Sequence, residues 1–119
     1  MGGPMMGRTL TSIDCPIIKA NNAILCLDDT AVLPEETPCI RCGRCVRVCP
    51  LGLMPYALDG ASRSRDVVAL DELAVMNCME CGSCAYTCPA HRRITASIRE
   101  GKAFYRSEVK RLTEPVKGA

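Results

Sequence analysis

One twelve-residue unit occurs twice in this chain. Cys39-Ile-Arg-Cys-Gly-Arg-Cys-Val-Arg-Val-Cys-Pro50 and Cys78-Met-Glu-Cys-Gly-Ser-Cys-Ala-Tyr-Thr-Cys-Pro89 align without a gap, 39 residues apart. Each reads C-x2-C-x2-C-x3-C-P, the spacing found in bacterial proteins that hold two iron–sulfur clusters. A [4Fe–4S] cube needs four thiolates, one per iron. Three cysteines spaced by two residues let a tight loop wrap one side of the cube. Gly43 and Gly82 permit backbone conformations closed to other residues, so the loop can curl and turn its amides inward. The fourth cysteine sits too far round to complete the same cube, and in two-cluster proteins it ligates the other one. The expected ligand sets are therefore Cys39, Cys42, Cys45 and Cys88 for one cluster, and Cys78, Cys81, Cys84 and Cys49 for the second. Pro50 and Pro89 end each unit by turning the chain, and offer no competing N–H.

Two other uses of cysteine compete. Structural zinc takes two C-x2-C pairs with a longer insert between them. Here a third cysteine follows each pair at once, which makes one zinc per quartet awkward. Disulfides need an oxidising compartment, and Met1 to Leu10 does not read as a signal peptide. Iron–sulfur is the favoured reading. Cys15 and Cys26 lack ligand spacing and are expected to be small buried hydrophobes. His91, the only histidine, is expected at the surface or as a hydrogen-bond donor near a cluster.

Composition supports a cofactor-built core. The chain has 119 residues, no Trp, one Phe and three Tyr. A chain this short, lacking large core side chains, needs other support, and ten cysteines are available for it. No apolar run approaches the ~18 residues that span a bilayer. Net charge is +2 but uneven: Cys88 to Ala119 holds eight Lys/Arg against three acids. That stretch is a solvated helix face or a docking surface for an acidic partner or a membrane surface. Nucleic acid is disfavoured, because the stretch lacks interleaved aromatics. Arg41, Arg44 and Arg47 crowd the first unit while Glu80 lies in the second. This contrast predicts a higher potential for the Cys39 cluster, unless the arginines point into screening water.

The fold expected is mainly α. Residues 1–34 read as a short β-hairpin, with Ile13–Ile18 and Ala23–Leu27 as its strands. Residues 35–112 read as the two-cluster domain, and 113–119 as a frayed tail. Pro55 suits a helix start and Gly60 a stop. Asp66 is placed to cap a further helix carrying Val67, Leu70 and Leu73. Ile94, Ile98 and Tyr105 share one face of a last helix running to about Lys110.

Beyond the cysteines, Gly2-Gly3-Pro4-Met5-Met6-Gly7, Pro16-Ile17-Ile18-Lys19, Leu51-Gly52-Leu53-Met54-Pro55 and Arg99-Glu100-Gly101-Lys102-Ala103 stand out. With these the chain resembles the C-terminal part of the C subunit of the Rnf-type ion-translocating electron transport complex. The resemblance implies a helical ferredoxin-type domain behind the end of a soluble, ligand-binding β-grasp module. It implies electron transfer through two [4Fe–4S] clusters in a peripheral protein on the cytoplasmic side of the membrane. It also implies other subunits of the complex and a redox partner such as ferredoxin. FMN and NAD would belong to an N-terminal part that this sequence lacks. No G-x-G-x-x-G loop is present here, and no catalytic residue is expected in the chain. A free-standing soluble ferredoxin-type carrier and a non-redox structural or sensory iron–sulfur protein are the competing functions.

Overall fold

The architecture comes from a computed structural model, which describes residues 10, 12–19, 21–26 and 34–113. The Gly2–Gly7 segment and residues 114–119 lie outside the described residues. The chain divides into two compact units, Met1–Glu35 and Glu36–Ala119.

In the second unit the order is α1 (Arg44–Arg47), α2 (Pro55–Ser64), α3 (Val67–Glu72), a 3₁₀ turn (Val75–Asn77), α4 (Ser83–Tyr86) and α5 (Ile94–Thr113). Pro55 opens α2, where its missing N–H costs nothing. Gly60 does not stop this helix, contrary to expectation. It is passed in mid-helix, and the stop comes at Arg65, which takes a left-handed conformation with φ 54°. The Asp66 N–H then bonds back to the Ala61 carbonyl at 3.0 Å, closing the helix end. Asp66 at once caps α3, as expected, its side chain accepting from the Ala69 N–H at 3.1 Å. The last helix continues to Thr113, three residues beyond the expected end, within the fraying common at helix termini.

The core forms between α2 and α5, closed by α3 and the 3₁₀ turn. Leu58, Leu70, Val75, Ile94 and Ile98 are fully buried there. Tyr105 packs against this cluster, as its helical phase predicts, and its hydroxyl donates to Asp71. At one point α2 and α5 nearly touch. A Cβ on Gly101 would lie 2.2 Å from Ser62 Oγ and 2.8 Å from Ser62 Cβ. Only glycine permits that approach.

The first unit departs from expectation. Its described residues contain no β-strand, only an isolated bridge at Ala23. Ile13, Ile17, Ile18, Ile24 and Leu25 are all exposed. Two short apolar segments hold a hairpin only when a further layer covers their apolar face, and these side chains face solvent. Cys15 and Cys26 are exposed as well, rather than buried.

Candidate metal centre

The repeat in the sequence is a repeat in the backbone. Arg41 and Glu80, Gly43 and Gly82, and Gly52 and His91 occupy matching positions, and all six have positive φ. Gly43 and Gly82, at 73° and 83°, sit just ahead of α1 and α4. A Cβ at either would meet nothing within 4 Å. Conformation, not crowding, therefore calls for glycine there. Each loop folds its first three cysteines around a bend and leads the fourth out of a one-turn helix.

Two cavities result, of about 410 and 400 Å³ measured out to their open mouths. Cys49, Cys78, Cys81 and Cys84 line the first. Cys39, Cys42, Cys45 and Cys88 line the second. Each cavity thus draws three cysteines from one unit and the last from the other. Apolar side chains, Leu53, Leu58 and Ile98 in the first and Ile94 in the second, form the inner walls.

Four thiols around a small, apolar-backed space fit a [4Fe–4S] cube. They fit a single ion less well. Four thiolates on one zinc stand about 3.8 Å apart, given Zn–S distances near 2.3 Å. Among the described residues no three Cys, His, Asp or Glu side chains converge closely enough to hold one ion. A cube places an iron at each sulfur, so its ligands stand further apart.

The loops are held by named contacts. The Thr37 N–H donates to the Ala90 carbonyl at 3.0 Å, which fixes the approach to Cys39 beside the exit from Cys88. Glu36 reinforces this by accepting from the Arg93 N–H at 2.6 Å and pairing with Arg63 at 3.0 Å. The Arg93 N–H holds the Glu36 carboxyl below its ordinary range, aided by Arg63. Beneath the second cavity, Asp59 pairs with Arg63 at 2.8 Å and Arg92 at 2.6 Å. Burial pushes the Asp59 carboxyl up, but the two guanidinium groups outweigh it and hold it low.

On the other side, Lys102 reaches from α5 to the loop between Cys78 and Cys81. Its ammonium donates to the Cys78 carbonyl at 2.7 Å and to Glu80 Oε1 at 2.9 Å. Arg99 grips the other Glu80 oxygen at 2.8 Å. The Lys102 hydrogen bond, helped by Arg99, keeps the Glu80 carboxyl low. Glu80 is therefore not a lone negative charge, and half of the expected electrostatic contrast between the two units disappears. Half of the eight basic residues of the C-terminal stretch are likewise paired: Arg92, Arg99, Lys102 and Arg111 each face a carboxylate.

Thiol environments differ. Burial pushes the Cys45 and Cys84 thiols up, whereas the Ser83 hydroxyl 3.5 Å from Cys81 Sγ holds that thiol down. Cys39 and Cys42 are exposed, and Cys45 is buried. His91 is exposed, and its backbone N–H donates to the Cys88 carbonyl at 3.1 Å. Sequence reasoning does not find Lys102 as a loop clamp. Its place beside Gly101 on an amphipathic helix carries no signal of the contact.

Comparison with known proteins also points to two clusters. Residues 31–89 match the family model described as a 4Fe-4S dicluster domain. The chain is 47% identical over 68 residues to the C subunit of the ion-translocating oxidoreductase complex of Pectobacterium carotovorum subsp. carotovorum (strain PC1), an alignment covering 56% of this chain and 9% of that protein. The same subunit of Yersinia pestis bv. Antiqua (strain Antiqua) is 52% identical over 68 residues, covering 56% and 11%. That of Pasteurella multocida (strain Pm70) is 42% identical over 105 residues, covering 87% and 13%. The chain thus spans about a tenth of the length of these relatives. No helix among the described residues is long and apolar enough to cross a membrane. Over residues 31–89 this chain carries a match to the 4Fe-4S dicluster domain, and over part of its length it is homologous to the C subunit of Rnf-type ion-translocating oxidoreductase complexes.

Proposed function

We propose that this chain is the two-cluster electron relay of a larger subunit in an ion-translocating oxidoreductase complex, with residues 35–112 as its relay domain. Cys39, Cys42, Cys45 and Cys88 hold one [4Fe–4S] cluster, and Cys78, Cys81, Cys84 and Cys49 hold the other. The observation that carries this reading is the mixed lining of the two cavities, three cysteines from one unit and the fourth from its counterpart. A bound cluster supplies a one-electron couple with no bond made or broken. The protein's share is to fix the two sites side by side and keep water from their inner walls with Leu53, Leu58, Ile94 and Ile98. Lys102 and the Thr37–Ala90 bond hold the loops in shape.

In this role the chain sits at the cytoplasmic face of a membrane, against other subunits of the complex, and exchanges electrons with a carrier such as ferredoxin. Flavin and nicotinamide chemistry belongs to regions outside these residues. The relatives described above, and cavities walled by thiols and apolar side chains, support a relay over an independent enzyme.

Cysteine replacement tests the assignment. Anaerobically purified protein is expected to hold about eight iron and eight sulfide. Cys49→Ala and Cys81→Ala are expected to leave the same surviving electron-spin signal, and Cys88→Ala and Cys42→Ala the other. A Cys49→Ala spectrum matching that of Cys42→Ala would refute the crossed ligand sets. One or two zinc with no sulfide would refute the cluster reading altogether.

A further inference from the structure

The two units differ in charge at corresponding positions. Arg41, Arg44 and Arg47 in the first correspond to Glu80, Ser83 and Tyr86 in the second. The backbone of the two loops is otherwise matched, down to the positive φ at Arg41 and Glu80. The charges are treated differently as well. Glu80 is clamped between Arg99 and Lys102. The three arginines are exposed, and among the described residues none of their guanidinium groups meets a carboxylate.

Apolar side chains are exposed around them. Ile40 is 68% exposed, Val48 40% and Tyr86 96%. Arg44, Arg47, Val48 and Thr87 line one shallow depression, which joins α1 to the end of α4. Exposed Cys39 and Cys42 open beside the same loop. Two exposed ligand cysteines thus share a loop with arginines that, among the described residues, meet no carboxylate.

We infer that the α1 face, built on Arg44 and Arg47 with Val48 and Tyr86, is the docking surface for an acidic one-electron carrier protein. The inference rests on the two-cluster reading above. Complementary charge speeds encounter and orients it, while a small apolar centre holds it briefly. Redox encounters use interfaces of this small, transient kind, below about 1,200 Å². One electron leaves the reduced centre of one protein and enters the oxidised centre of the other, and no proton or bond has to move. A lipid surface would also attract arginines. A bilayer accepts no electron, however, and gives no reason for the patch to sit beside the exposed cysteines.

The test uses the cluster-loaded chain and an immobilised acidic two-cluster ferredoxin as probe. Iron and sulfide content is measured first. Failure to load clusters would overturn both this inference and the relay function. With clusters intact, capture is expected at about 20 mM salt and to be lost by about 300 mM, as screening shortens the reach of charge. Arg44→Gln/Arg47→Gln is expected to weaken capture, and to slow reduction by that ferredoxin, about tenfold at low salt. Reduction by a small uncharged reductant such as photoreduced deazariboflavin should not change. Arg106→Gln/Arg111→Gln removes the same charge from α5 and is expected to change capture less than about twofold. Equal losses in both double variants, or none in the first, would overturn the docking surface alone. So would arginine-dependent binding to phosphatidylglycerol vesicles with no capture by the ferredoxin.

Discussion

Replacing Gly101 by alanine should destabilise this protein, although alanine is the better helix former. The substitution lies inside α5, where removing glycine alone would stabilise by about 1 kcal/mol. The new methyl carbon, however, would stand 2.2 Å from Ser62 Oγ and 2.8 Å from Ser62 Cβ. The hydroxyl can rotate away. The Ser62 Cβ is fixed to α2 and cannot, so the helices must separate by about 0.6 Å to reach ordinary contact. Real Cβ atoms essentially never stand this close to another carbon, so the overpacking cost falls in the upper part of the usual range, about 2–3 kcal/mol. The net loss is about 1–2 kcal/mol, or a fall of roughly 5–15 °C in apparent Tm for a domain of this size. Ser62→Gly removes the obstacle. It also removes a buried hydroxyl that has no hydrogen-bond partner, which offsets the cost of a helical glycine. In that background Gly101→Ala should turn stabilising by about 1 kcal/mol. Unfolding is followed anaerobically by far-UV circular dichroism at one scan rate, because cluster loss makes it irreversible. A Gly101→Ala protein as stable as the parent would refute the reasoning. So would an equal loss in both backgrounds, since the clash would then not be with Ser62.

Two further outcomes are expected. Lys102→Met leaves the Cys78 carbonyl without its donor while Arg99 still holds Glu80; it should cost about 1–3 kcal/mol and make the potential of the Cys78 cluster more negative. Redox titration that finds both clusters shifted equally, or neither, would contradict the role given to Lys102. Asp59 has a lowered carboxyl pKa in the fold, so its contribution is full above the ordinary carboxylate value near 3.9 and is lost as pH falls through the lowered one. Acid unfolding of Asp59→Asn should show a shallower dependence in that window, and an unchanged slope would sink the assignment.

Much of the second unit is legible from sequence because its signals are local. The cysteine spacing, Pro55 at a helix start, Asp66 as a cap and the Ile94–Ile98–Tyr105 face each follow from a few neighbouring residues. The misses come where a distant partner decides. Gly60 looks like a stop, but α2 runs on to reach Arg65, whose turned backbone feeds Asp66 into the next helix. The patterns in Ile13–Ile18 and Ala23–Leu27 suggest strands, yet a strand needs a surface to lie on, and Ile13, Ile17, Ile18, Ile24 and Leu25 are exposed. Cys15 and Cys26 differ from expectation for the same reason. Lys102 and the Ser62–Gly101 contact depend on how α2 and α5 cross, which no short pattern encodes.

The bond from Thr37 to Ala90 joins residues 53 positions apart. Closing so long a loop costs about 3.5 kcal/mol in chain entropy. The helical core meets that cost, because it already holds both ends of the loop. Cys39 and Cys88, which line one cavity, are thus tied together by groups that are not themselves ligands. The backbone shares with the thiols the work of joining the two repeats.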